Sequence, residues 1–360
     1  FILDAINAPA LSEVVKIQSD HVRIQNSELK NGPSTGILVS SQTSVEGSFN
    51  EFINLKVHSI GLLVQPFCCI NGIYINGQNN LVERSEFYNI QDHRGDSSAA
   101  INIYNGWTFA AHNNIIRFNI TRAGQIGTDT RGISVAAGNN TIVHNNLVYD
   151  NKDRGIDVNS TTDGTKVYNN TIYGNGGAGV WCGSTNTNAV FRNNISYNNG
   201  FTNNETFGGP CPGLVTSHNL LTNPLFVDSA NGDFHLRTGS LAIDTGANLS
   251  AEGIIQDLDG VVRPQGCCYD IGAFEFGGTI IPPSTKFSIG NRVRVSDPAG
   301  VNVRSTPDGT ILSPPQATGA LGTIIGGPTS ANGFNWWNIN YDTGADGWSV
   351  EDYLTNQAGC

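Results

Sequence analysis

A two-asparagine motif returns at a fixed step along the middle of this 360-residue chain: NNLVYDN from Asn145, NNTIYGN from Asn169 and NNISYNN from Asn193, 24 residues apart. A constant period of this size, with one short strand pattern per period, is the signature of a solenoid. The register extends upstream with less identity. Asn26, Asn54, Arg84, Arg117, Asn145, Asn169 and Asn193 take one equivalent position, at intervals of 28, 30, 33, 28, 24 and 24 residues. Loops inserted on one side of a regular coil would produce that variation.

Ahead of most of these positions stands a second pattern, a small residue followed by apolar–any–apolar. It reads GILV from Gly36, GIYI from Gly72, AINI from Ala100, GISV from Gly132, GIDV from Gly155 and GVWC from Gly179, with Glu13–Ile17 as a divergent earlier copy. Alternation at period two means strands whose first and third apolar residues point inward. No amphipathic helical stretch of useful length separates them. The expected fold is all-β, a parallel β-helix with about three short strands per coil. Asparagine tolerates left-handed backbone and can bond to its neighbours above and below, so the pairs are read as corner-forming ladders rather than ligands.

Charged residues are 14% of the chain and the net charge is −11. No basic stripe exists to neutralise phosphates, which argues against nucleic acid, and no apolar run approaches the ~18 residues of a membrane helix. Phe1–Asp4 already reads as a strand, as expected of a processed or truncated product of a longer secreted precursor. Seven cysteines (68, 69, 182, 211, 267, 268 and 360) fit no zinc module. Disulfides suit an extracellular or cell-surface chain, with connectivity left open, and Cys182 falls on an inward position. The Asn-x-Ser/Thr sequons at Asn119, Asn159 and Asn194 fall in asparagine-rich sequence and are expected by chance.

The period fails after about residue 200. Residues 219–276 resemble the terminal segment of secreted bacterial β-helix proteins of the choice-of-anchor group, through Asn223–Pro224, Phe226–Asp228, Asp233–Leu236, Ala242–Gly246, Asp259–Gly260, Arg263–Pro264 and Asp270–Glu275. That resemblance implies a cap over the open end of a coil. Residues 277–285 read as a Gly/Pro linker. Residues 286–360 resemble a bacterial SH3-like barrel, carried by Asn302–Ser305, Trp336–Trp337, Gly347–Trp348 and Tyr353–Leu354. It implies a module that binds cell-wall material or packs on a neighbour, with Trp337 and Trp348 as core or binding platform. Residues 1–218, the solenoid itself, resemble the pectate-lyase-like superfamily, which implies a right-handed coil. That superfamily holds polysaccharide lyases, glycosidases, tailspikes and noncatalytic adhesins, so the fold leaves function open. Neither the paired-Asp plus Gly-His-Gly set of polygalacturonases nor the pectate lyase calcium motifs are found.

The middle residue of each apolar–x–apolar strand should face solvent. That column is Lys16, Leu38, Tyr74, Asn102, Ser134, Asp157 and Trp181. Tyr74, Asn102, Ser134 and Trp181 are the expected substrate-binding residues, since aromatic faces stack on sugar rings and polar groups meet hydroxyls. Charged side chains lie beside them: Asp129, Arg131, Lys152, Asp153 and Arg154, with His93, Arg94 and Asp96 in a preceding loop. A lyase acting on uronates needs a carboxylate neutraliser and a base, for which Arg131, Arg154 and Lys152 are candidates. A glycosidase needs two carboxyl groups; Asp153 with Asp157, or Asp129 with Asp157, are taken to lie on neighbouring coils. Asp129, Asp153 and Asp157 could instead hold Ca2+. Solvated turn charges are the plain alternative. Arg94–Asp96 matches an integrin-binding tripeptide, too short a match to use. Two functions follow. One is a secreted or surface carbohydrate-recognising protein, with polysaccharide lyase or glycoside hydrolase activity if it is an enzyme. The other is a noncatalytic adhesin or filament component that self-associates or docks to a neighbouring subunit.

Overall fold

The computed structural model describes residues 1–9, 12–40, 47–61, 70–91, 98–104, 111–122, 130–200, 207–208, 211–277, 286–307, 309–331 and 334–357. The chain forms two compact units, residues 1–258 with 266–276, and residues 259–265 with 277–360.

The first unit is a parallel solenoid with three strands per coil. A first sheet stacks eight strands, Val15–Ile17, Thr35–Val39, Asn71–Ile75, Ala99–Tyr104, Arg131–Ala136, Ile156–Asn159, Val180–Cys182 and Phe207–Gly208. Two further stacks are joined at their start by the long strands Arg23–Lys30 and Glu51–Ile60, which span both. From there the second stack runs Leu81–Glu83 to Val215–Ser217, and the third Glu86–Ile90 to Ile195–Tyr197. Phe1–Asp4 behaves as expected, with Ile2–Asp4 pairing to 28–30. The inward residues form one continuous apolar core from Ile17 to Cys211. Cys182 is part of it and is bonded to Cys211, Cα atoms 5.5 Å apart. The small residue before each first-sheet strand is dictated by packing: a Cβ at Gly155 would run into Ile172 of the third sheet.

The two asparagines of each pair have different tasks. The first is left-handed, with φ of 52°, 49° and 55° at Asn145, Asn169 and Asn193. The second points inward. Asn119, Asn146, Asn170, Asn194 and Asn219 form one ladder, each side-chain amide donating to the Oδ1 of the next at 2.9–3.1 Å. Asn170 also receives the Asn146 backbone N–H at 3.0 Å and donates to the Val143 and Tyr168 carbonyls. Asn151, Asn175 and Asn199 make a parallel ladder. Asn119 and Asn194 are fully buried in this way, so their sequons present no side chain for glycosylation.

One register assignment is corrected. The left-handed residue at the corner equivalent to Arg84 and Asn145 is Phe118, φ 56°, while Arg117 is the last strand residue and pairs with His144. Arg117 pairs with Glu83 in the preceding coil, so Phe118 stands level with Arg84, and Arg84 and Arg117 both lie over the Phe118 ring, at 4.8 and 5.5 Å.

Residues 219–276 also differ from expectation. Their apolar side chains pack along the flank of the coil rather than over its end. Phe226, Phe234, Leu236, Ile271 and Phe274 cover the outward residues Leu147, Tyr149, Tyr173, Ile195 and Tyr197 of the third sheet. The first asparagines bind this strap: Asn145 donates to the Gln256 carbonyl at 2.8 Å, Asn169 to Asp270 and Gly272 at 2.9 and 3.1 Å, and Asn193 to Ala247 at 2.8 Å. Tyr168 is enclosed by Leu249, Ile254 and Tyr269, and burial pushes its phenol up to about 12. The physical reason is area: the outward column here is apolar and aromatic, and burying it yields ~25 cal/mol per Å². Cys267 and Cys268 are free and exposed on the strap. Cys68, Cys69 and Cys360 lie outside the described residues.

The second unit carries a seven-stranded antiparallel sheet in the order 311–316, 301–304, 347–350, 334–341, 321–331, 292–295, 354–356. Trp337 is core, 1% exposed, and donates its indole N–H to Glu351 at 2.7 Å. Trp348 is half-buried. Among the described residues no helix is long and apolar enough to cross a membrane.

Candidate functional site

The first sheet aligns the predicted column residue by residue. Lys16 pairs with Leu38, Leu38 with Tyr74, Tyr74 with Asn102, Asn102 with Ser134, Ser134 with Asp157 and Asp157 with Trp181. Six residues scattered over more than a hundred positions therefore form one straight row with Lys16. At ~4.8 Å per coil, Tyr74 and Trp181 are ~19 Å apart.

The solvent exposure expected of this row does not hold throughout. Asn102, Ser134 and Asp157 are 7%, 1% and 0% exposed. Asp157 is enclosed by its own partners. Arg154 Nη1 donates to its Oδ1 at 2.9 Å, and Arg131 Nε lies 3.2 Å from its Oδ2, which Asn159 Nδ2 also meets. Arg131 Nε is also 3.2 Å from Asp153 Oδ2. Two carboxylates and two guanidiniums thus neutralise one another across adjacent coils. A carboxylate with both oxygens engaged in this way must break those contacts before it can attack a substrate. Asp153 and Asp157 belong to the same coil, not to neighbouring ones, and Arg131 of the preceding coil bridges them.

The same arrangement bears on a cation. Asp153 and Asp157 face guanidinium groups, an unsuitable donor set for Ca2+. Among the described residues no group of three His, Cys, Asp or Glu could hold a metal. Asp129, His93, Arg94 and Asp96 lie outside the described residues. Lys152 is exposed and makes no ion pair among the described residues.

The two aromatic ends differ. At one, Arg154 lies over the Trp181 ring, 5.0 Å from its centroid, so one face is already covered. The register partner on the next coil is Gly208, which adds no side chain beside it. At the other end, Tyr74 meets Tyr104 edge-on, ring centroids 6.1 Å apart, and burial with the neighbouring Tyr104 raises the Tyr74 phenol above its ordinary range. Tyr74 therefore stays a neutral O–H donor.

Between the tyrosines is a chain of amides. Asn71 Oδ1 accepts the Ala99 backbone N–H at 3.2 Å and the Asn102 Nδ2 at 3.1 Å. Asn102 Oδ1 is buried with no hydrogen-bond partner. Such an orphaned acceptor costs about 1–3 kcal/mol. Tyr104, Asn159 and Asn71 were missing from the sequence-based set. Tyr104 and Asn159 lie two residues beyond Asn102 and Asp157, so extending the alternation by one step would have found them.

A family model described as "Right handed beta helix region" matches residues 14–224, more than half of the chain. No curated protein sequence matches the chain. Among solved structures, the chain is similar to pectate lyase Pel9A at 17% identity, covering 73% of this chain and 67% of that one, with TM-score 0.49. It is similar to XylC in complex with xylose at 13%, covering 72% and 51%, TM-score 0.41. It is also similar to the enzymatically active domain of bacteriophage CBA120 tailspike protein 2 at 11%, covering 95% and 70%, TM-score 0.34. At this distance none of the three assigns an activity here. The family match, taken with the three-stranded parallel coil, identifies the chain as a member of the right handed beta helix family.

Proposed function

We propose that this protein recognises carbohydrate, holding a glycan along the outward row of the first sheet. The observation that carries this reading is the row itself: aromatic rings at Tyr74 and Trp181 with Asn102, Ser134 and Asp157 in register between them. Flat sugar faces stack on aromatics, and the half-buried Tyr74 and Trp181 rings are the groups of the row that a sugar can reach, Ser134 and Asp157 being buried. Binding is favoured over turnover because Arg131, Arg154 and Asn159 occupy both oxygens of Asp157. In this role Asp157 fixes the two guanidiniums, and Arg154 and Trp181 form one edge of the platform. The Cys182–Cys211 bond supports an extracellular or surface location, where disulfides persist.

The second unit is proposed as an SH3-like module that docks to cell wall or to a neighbouring subunit. Exposed Phe334 and Tyr353 border a cleft of about 180 Å³ that also includes Asn302, Arg304 and Trp336.

Affinity electrophoresis across a broad glycan panel tests the reading. The full chain should be retarded by at least one polysaccharide, and Trp181→Ala should weaken that about tenfold, the loss of one stacking contact. Absence of retardation by every glycan would remove the proposal. Release of reducing ends or unsaturated products, lost in Asp157→Asn, would replace binding by catalysis.

A further inference from the structure

We infer that Cys267 and Cys268 form an oxidative modification site: by exchange with a low-molecular-weight disulfide they close into a bond between adjacent residues, and that bond reopens more readily than Cys182–Cys211.

Both thiols are free and exposed, and the Cys267 S–H donates to Cys268 Sγ at 3.5 Å. A disulfide needs about 2.0 Å, a closure of about 1.5 Å that side-chain rotation can supply at two exposed residues. The turn that carries them is held in place. Asp244 Oδ1 accepts the Cys268 backbone N–H at 3.2 Å, and a Cβ at Gly266 would strike the same carboxylate. The next residue, Tyr269, is 1% exposed and its hydroxyl donates to the Ile254 carbonyl at 2.7 Å. The backbone is therefore anchored on its inner side while both sulfurs meet solvent.

A metal ion suits the pair less well. Thiolates, not thiols, are metal ligands, and the hydrogen bond to Cys268, desolvation and the Asp244 charge push the Cys267 thiol above its ordinary range. Among the described residues no group of three His, Cys, Asp or Glu could hold an ion.

The exchange has two steps. One cysteine gives up its proton and attacks the small disulfide R–S–S–R; that S–S bond breaks, a mixed disulfide forms, and R–S⁻ leaves and takes up the proton. The second cysteine then loses its proton and attacks the protein sulfur of the mixed disulfide, expelling a second R–SH. The pair loses two hydrogens and two electrons, and the small disulfide gains them. The second step is favoured because the adjacent thiol stands at an effective concentration of about millimolar or above. Adjacent Cα atoms are about 3.8 Å apart, short of the roughly 4.4–6.8 Å usual across a disulfide. Cys182 and Cys211 lie within that usual span at 5.5 Å and are 0% and 7% exposed. Strained, exposed bonds are the readily reduced ones.

The test treats the full chain with oxidised glutathione, blocks remaining thiols in acid, and maps both cysteines by peptide mass spectrometry. The peptide holding Cys267 and Cys268 should be lighter by two hydrogen atoms than its dithiol form and carry no glutathione. In dithiothreitol this bond should open about tenfold or more faster than Cys182–Cys211. Cys267→Ser and Cys268→Ser, each at an exposed position, should keep the parent melting temperature and retain one glutathione on the remaining sulfur, since no neighbour is left to expel it. Thiols left free, glutathione retained by the parent pair, or a bond from either cysteine to Cys68, Cys69, Cys360 or a second chain would each overturn the inference. So would a Cys267–Cys268 bond that opens no faster than Cys182–Cys211.

Discussion

The outward faces of the first and third sheets rise from the same coils and are closed by opposite means. On the third sheet the outward positions are Leu147, Tyr149, Tyr173, Ile195 and Tyr197, and the chain returns to cover them with Phe226, Phe234 and Phe274. On the first sheet they are Asn102, Ser134 and Asp157, and the charged groups beside them close the face through ion pairs. The repeat fixes only the inward residues. Outward ones are free to diverge, and their chemistry decides whether a coil needs a permanent protein cover or can present a face to a ligand.

The largest effect should come from opening the covered face. Phe234 is 1% exposed and touches Tyr149, Tyr173 and Phe226. Phe234→Ala should cost about 3–5 kcal/mol, read by denaturant unfolding, and should expose residues 219–276 to protease. An unchanged midpoint with unchanged cleavage would mean the strap is not anchored by this cluster.

Next comes the ion-paired face. Asp157→Asn leaves two guanidiniums short of a counter-charge. Because Arg154 is partly exposed the loss should be about 2–3 kcal/mol, below that of a fully buried pair. Pairing it with Arg131→Gln in a double-mutant cycle should give clear non-additivity; strict additivity would show that the network does not act as a unit.

A smaller effect separates the two asparagines of a pair. Asn169→Gly keeps the φ of 49° available but deletes the bonds to Asp270 and Gly272. It should cost about 1–2 kcal/mol and loosen the strap, detected as faster proteolysis within 219–276, while circular dichroism of the coil is retained. Loss of the coil signal would show the first asparagine to be as structural as the second.

The smallest concerns neither face. Hydrogen bonds from Thr187 and Asn188 hold the exposed Asp163 carboxyl below the usual Asp range. A lowered folded-state value stabilises above the unfolded Asp pKa, and that contribution is lost as pH falls through the folded one. In Thr187→Val the NMR titration of Asp163 should move up toward the ordinary range; no movement would mean that Asn188 alone sets it.

The sheet order and the row on the first sheet were legible because period-two alternation fixes which residues share a face. Tyr74, Asn102, Ser134, Asp157 and Trp181 could be aligned from the small-residue signal alone. The corner at Phe118 was not legible, since a phenylalanine carries none of the turn signal that asparagine does. The lateral position of 219–276 was hidden for another reason. Nothing local distinguishes Tyr173, which needs a cover, from a solvated tyrosine; only stacking Tyr149, Tyr173 and Tyr197 in register creates an apolar strip. The burial of Asp157 likewise depends on Arg131, contributed by the coil before it.

The strap has a consequence for how the coil comes apart. Stability in a solenoid is close to a sum of nearest-neighbour terms, so coils can open one at a time. Residues 219–276 touch strands as far apart as Ile120 and Ile195 and tie non-adjacent coils together. Those coils should exchange their backbone amide hydrogens as one cooperative block, while the coils before Ile120 open singly, giving one molecule two distinct unfolding grains.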